Sequence, residues 1–164
     1  QGRISTYPSY PNMAHLAFVE VDIETGEVKI LKYAAVHDCG YVMNPMMVEG
    51  QLHGGIVQGI GGALYEHLVY DDAGQLLTTT FMDYPIPTSM EVPKIEVANH
   101  ETRSPFTPYG TKGVGESGPV GAPAVLISAV EDALSTLGVK ITELPLKPNR
   151  IWELIKEAKA KVRE

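Results

Sequence analysis

The chain has 164 residues, of which 44% are apolar and 20% charged, and its net charge is −7. That length and apolar share fit one domain of ordinary size, or a large piece of something bigger, and exclude wholesale disorder. The acidic balance has no basic stripe within it, which excludes a nucleic-acid surface built on clustered cations.

The opening segment, QGRISTYPSYPN, is rich in Pro and Tyr and is expected to wrap over a surface it does not itself build. Residues 14–22 and 27–37 are two apolar, strand-forming runs on either side of the turn ETGE. Their period of two, with Gly26 at the bend, predicts a hairpin. Asn44-Pro45 then opens a helix, with Asn as the N-cap and Pro at the first helical position. This helix is expected to run through MMVEGQLHGGIVQGIGGALYEH, which holds six glycines between Gly50 and Gly62. Each costs about 1 kcal/mol against alanine inside a helix, so the cluster needs a reason.

A second hairpin is expected in HLVYDDAGQLLT, turning at Asp72-Ala73-Gly74, and KIEVANHET reads as a further strand. RSPFTPYGTKGVGESGP has too many prolines and glycines for regular structure and is predicted to be a loop. Helix follows from about Pro119 to Leu137, with Gly138 as its stop, and a last helix starts near Asn149. Strands in pairs interrupted by helices predict an α+β fold, with a mixed or antiparallel sheet, hairpins and three main helices.

The single cysteine, Cys39, excludes an internal disulfide framework, a zinc site built on two or more cysteines, and a full set of cysteine ligands for an iron–sulfur cluster. A cytoplasmic setting is therefore the expectation. No apolar run approaches the ~20 residues of a membrane span. The chain begins with Gln1, which is expected of a processed or truncated piece.

Gly113 to Gly118 matches G-x-G-x-x-G, the dinucleotide fingerprint, but that match requires a strand directly before it and a parallel βαβ unit around it. Pro105, Pro108 and Gly110 precede it instead, which counts against a nicotinamide-dependent enzyme. The loop still ends at a helix N-terminus, where free backbone N–H groups favour an anion. Glu116 stands there either as a capping carboxylate in a tight turn or as a functional group. The glycine-rich helix likewise has two readings. One is close packing of helix on helix or sheet; the other is close approach to a flat ligand whose hydrogen-bonding edges would meet Gln51 and Gln58. The five histidines are scattered, and His37-Asp38-Cys39 lacks the spacing of a metal site, so no side-chain metal ligands are expected.

Two segments together, VHDCGYVMNPMMVEGQLHGGIVQGIGGALYE (36–66) and TKGVGESGPVGAPAVLISAVEDAL (111–134), resemble the carboxy-terminal part of the molybdopterin-binding large subunit of molybdenum hydroxylases. This is the family of xanthine dehydrogenase, aldehyde oxidase and carbon monoxide dehydrogenase. FVEVDIETGEVKILKY and PKIEVANHETRSPFTPYG are similar to its carbon monoxide dehydrogenase-like branch, so the resemblance covers nearly all of residues 1–164 as a single segment. It implies an oxidoreductase that hydroxylates a C–H bond, or oxidises a small substrate, with water as the oxygen source. It implies a molybdenum–molybdopterin cofactor, in simple or dinucleotide form, held only in the complete subunit and without a protein side chain on the metal. By the same resemblance, Glu116 in KGVGE is the general base at the Mo–OH group and Gln51 binds the pterin. Lys112, Gly113, Val114 and Gly115 line the cofactor through backbone or near-backbone contacts. The implied partners are the remainder of the large subunit, iron–sulfur and flavin subunits or domains, and a small-molecule substrate, so the isolated chain is expected to be inactive. The alternative is a non-catalytic fragment serving assembly or interaction.

Overall fold

The computed structural model describes residues 9–161. Most of the opening segment expected to wrap over a surface lies outside the described residues. Strand β1 (Asn12–Val21) and strand β2 (Val28–Asp38) form the predicted antiparallel hairpin, in register from Asn12 opposite Asp38 to Val21 opposite Val28. One irregularity falls between Phe18 and Val19. Asp22 closes the turn by accepting hydrogen bonds from the N–H groups of Glu24 and Thr25, at 2.7 and 3.1 Å.

Helix α1 (Pro45–Leu64) starts as the sequence predicts, with the Asn44 side chain accepting from the Met47 N–H at 3.2 Å. It ends three residues before His67, because the N–H groups of both Tyr65 and Glu66 turn back onto the Gly61 carbonyl. Strand β3 (Ile95–Asn99) pairs in parallel with β2, from Ile95 opposite Tyr33 to Asn99 opposite His37. The sheet order is β1-β2-β3, a mixed sheet. The expected second hairpin is reduced to one bridge between Tyr70 and Leu76, with no named strand on either side. Its flanking residues, Leu68 and Leu77, are about half exposed, so no buried face supports a longer ladder.

Helix α2 (Ser117–Ala133) gives way to a short 3-10 turn at Ser135–Leu137, and Gly138 follows with a left-handed φ of 68°. Helix α3 (Pro148–Lys161) closes the fold and buries Ile151 and Ile155. Three helices on a mixed three-stranded sheet make the fold α+β, as expected from the sequence.

The core lies between one face of the sheet and the helices. Tyr33 and Ala35 of β2, Ile56 and Ile60 of α1, Leu126 and Val130 of α2, and Ile155 of α3 belong to it. Helices α1 and α2 approach closely because their contact is built from glycine, alanine and proline. A Cβ at Gly118 would lie 2.5 Å from the backbone of Gly55 and Ile56, and one at Gly59 would lie 2.6 Å from the Ala122 Cβ. Close helix packing therefore accounts for Gly55 and Gly59. It does not account for Gly50 or Gly54, where an added Cβ meets nothing within 4 Å.

Candidate active site

The loop that carries Glu116 begins at the end of β2. Gly40 there has a φ of 65°, and a Cβ would fall 2.0 Å from the Gly110 carbonyl oxygen, so only glycine lets the two segments meet. A bridge between Gly40 and Thr111 and a 2.7 Å hydrogen bond from the Lys112 N–H to the Cys39 carbonyl join them.

Asp38 fastens the same junction from below. Its carboxylate accepts from the N–H groups of Gly40 and Thr102, at 2.8 and 3.1 Å, from the Thr102 hydroxyl, and from Lys112 Nζ at 2.8 Å. Lys112 Nζ also donates to Thr102 Oγ1 at 2.7 Å. Both charged side chains are more than nine-tenths buried, at 9% and 6% exposure. Burial alone would push the Asp38 carboxyl up, but the bonds from Lys112, Thr102 and Gly40 together hold it well below the usual carboxylate range. The Lys112 side chain is thus committed to Asp38 and Thr102, and its N–H to the Cys39 carbonyl.

From Lys112 the chain runs along α1. Val114 packs into a small cluster with Cys39, Val48 and Leu52, which seats the loop against the first turns of that helix. Gln51 sits between the last two of these residues and is exposed. It lies one turn before Gly55, the residue that meets Gly118 at the start of α2. The fold therefore packs Val114 against the turn of α1 that carries Gln51, some sixty positions away in the chain. Gly113 is partly exposed and Gly115 exposed, and a Cβ at Gly115 meets nothing within 4 Å.

Glu116 occupies the N-cap position of α2, but its side chain makes no capping bond. The turn is closed by backbone alone, with Ser117 N–H to the Val114 carbonyl and Val120 N–H to the Glu116 carbonyl, both at 3.3 Å. Of the two sequence readings of Glu116, the capping carboxylate does not hold. What remains is an exposed carboxylate at the start of a helix. Gln58, named with Gln51 in the sequence, is also exposed and needs no buried partner.

Behind this surface lie groups that sequence reasoning missed. His15 of β1 bonds Tyr33 OH through Nδ1 at 2.7 Å and the Ser117 carbonyl through Nε2 at 3.0 Å. Burial pushes its imidazole down, offset in part by the bond to Ser117. His37 is 1% exposed and neither ring nitrogen has a hydrogen-bond partner. Burial pushes it down too, against the Asp38 charge, which raises it, and with His15, which lowers it further. Asp38 and Lys112 are 74 positions apart and His15 and Ser117 are 102 apart, so no local spacing signals either contact.

Residues 1–93 match the molybdopterin cofactor-binding domain family. The nicotine 6-hydroxylase large subunit of Paenarthrobacter nicotinovorans is 49% identical over 144 residues, which cover 88% of this chain and 18% of that protein. The carbon monoxide dehydrogenase large chain of Hydrogenophaga pseudoflava is 40% identical over 149 residues, 91% of this chain and 19% of that one. Among solved structures, quinoline 2-oxidoreductase from Pseudomonas putida 86 superposes with a TM-score of 0.87 at 50% identity, covering 90% of this chain and 19% of the other. The chain thus spans about a fifth of the length of the relatives it matches. It belongs to the molybdopterin cofactor-binding domain family of the molybdenum hydroxylases.

Proposed function

We propose that residues 1–164 form one segment of the C-terminal part of a molybdenum hydroxylase large subunit, and that Glu116 is its general base. The observation that carries this reading is the exposed, uncapped Glu116 carboxylate on a loop whose neighbouring backbone is bare of side chains. The residues present fit a molybdopterin. An added Cβ at Gly50, Gly54 or Gly115 meets nothing within 4 Å, so backbone on α1 and on the loop is open to a flat group. Gln51, exposed on α1, offers an amide to the pterin, and residues 112–115 offer backbone groups.

When bound, the cofactor accepts the two electrons of substrate oxidation. This chain's part is to hold the cofactor's edge through Gln51 and to accept a proton at the Glu116 carboxylate. Val114, packed against Cys39, Val48 and Leu52, seats the loop that carries that carboxylate. The rest of the large subunit, iron–sulfur and flavin partners and a cytoplasmic setting complete the proposal. Identities of 49% and 50% to a nicotine hydroxylase and a quinoline oxidoreductase, against 40% to a carbon monoxide dehydrogenase, favour an N-heterocyclic substrate.

The test is Glu116→Gln in the assembled enzyme, followed by anaerobic reduction with nicotine or quinoline. A positioned general base contributes about 10²–10⁴-fold, so reduction should slow by that factor while molybdenum content stays unchanged. Turnover within about twofold of the parent enzyme would instead support a non-catalytic assembly segment.

A further inference from the structure

Resting on the assignment of Glu116 as the base, we propose that His15 is a positioning residue that fixes Glu116 by tying the first turn of α2 to the β1–β2 hairpin. Glu116 has no side-chain bond of its own at the helix start, and two of the three residues before it are glycines. The place of its carboxylate is therefore set by what holds the backbone, which is Val114 packed against Cys39, Val48 and Leu52 together with the ties at the two ends of the loop. At the upstream end Lys112 is locked by Asp38. At the downstream end the Ser117 hydroxyl is buried with no partner, so the Ser117 side chain does not anchor this end. Among the described residues, His15 makes the side-chain hydrogen bond to Ser117, through its carbonyl at 3.0 Å.

The chemistry of that bond is determined. A carbonyl only accepts, so His15 Nε2 carries the proton and Nδ1 is left as an acceptor. The Tyr33 hydroxyl, 2.7 Å away, donates to Nδ1. Tyr33 is 1% exposed and its phenol is pushed up by burial, so it stays protonated and acts as a donor. The two rings meet edge to face, at 82° and 5.8 Å between centroids. The sequence of α2 makes room for the imidazole: a Cβ at Gly121 would lie 2.8 Å from two His15 ring atoms. Tyr33, His15 and Ser117 thus form a short relay of position from the centre of the sheet to the residue beside the base.

The experiment uses the assembled, molybdenum-loaded enzyme reduced anaerobically by nicotine or quinoline, with limiting rate and substrate Kd measured separately. A misplacement of about 1 Å at a reacting group costs about 10²-fold. His15→Ala is accordingly expected to slow the limiting rate by about 10–100-fold while changing Kd less than about twofold. Molybdenum content should be unaltered. His15→Gln, whose amide can donate to the Ser117 carbonyl, should recover most of the rate. Tyr33→Phe and Gly121→Ala disturb the ring while leaving His15 in place, and each should lower the rate without changing Kd; they serve if His15→Ala does not fold. A His15→Ala enzyme at the parent rate overturns the proposal. So does equal loss in His15→Ala and His15→Gln accompanied by loss of molybdenum, which marks a purely structural residue. Glu116→Gln is run alongside. If it turns over normally, the base assignment fails. If it is inactive while His15→Ala is normal, only the positioning role fails.

Discussion

Replacing Gly118 with alanine should destabilise the chain by about 1–2 kcal/mol, although alanine is the better helix former. The added Cβ would stand 2.5 Å from the Gly55 carbonyl carbon and the Ile56 nitrogen and 2.6 Å from the Gly55 Cα. All three are backbone atoms of α1, so no flexible side chain can swing aside, and the two helices must separate. Overpacking of this kind costs about 1–3 kcal/mol. The gain in helix propensity offsets at most about 1 kcal/mol of it. Gly50→Ala and Gly54→Ala are the controls, because their new methyl groups meet nothing; each should stabilise by about 0.5–1 kcal/mol. Urea unfolding of the chain, followed by far-UV circular dichroism, reads all three. In the loaded enzyme Gly54→Ala should also lower molybdenum content, if that open backbone receives the pterin. A Gly118→Ala chain as stable as its parent would refute the packing argument. A Gly54→Ala enzyme with full molybdenum would show that open backbone there is not needed for the cofactor.

Two further tests concern the charged groups behind the loop. Asp38→Asn removes the partner of a buried lysine, which costs about 3–5 kcal/mol, whereas Asp38→Leu with Lys112→Met should recover most of the loss. Urea midpoints distinguish them, and a single variant as stable as the parent would mean that the pair contributes nothing. His15 and His37 are both held below the ordinary imidazole range, chiefly by burial. The unfolded chain therefore binds more protons than the folded one just below pH ~6.5. Stability rises with pH through that window and is lost as pH falls below it. Asp38 does not interfere, because its contribution is lost only at far lower pH. Unfolding at about pH 7.5 and 5.5 should give the lower midpoint at 5.5, and an equal or higher one there would refute the assignment of two neutral imidazoles, His37 buried and His15 partly buried.

The parts of this fold legible in the sequence are those governed by neighbours in the chain. The β1–β2 hairpin follows from a period of two and one glycine, and the start of α1 from Asn44 and Pro45. The expected hairpin at Asp72-Ala73-Gly74 shrank to a bridge because turn chemistry was present without a buried face for its flanks. The parallel pairing of β3 with β2 had no local signal, nor did the Asp38–Lys112 pair. Family resemblance pointed to Glu116 and Gln51. Composition alone could not separate glycines that pack, such as Gly55, from glycines that leave backbone open, such as Gly54, because both lack the same atom.

The parallel pairing also bears on the order of events during folding. The hairpin needs only nearby contacts, but β3 must find β2 across all of α1 and the segment after it, and such non-local pairing is slow to form. The loop bearing Glu116 follows β3, and its two ties, to Asp38 and His15, close over 74 and 102 positions. A chain emerging from the ribosome therefore makes the hairpin early, while the core waits for α2 and α3, which follow Glu116 in the sequence. The Glu116 loop is thus fixed only as the helices after it pack onto the sheet.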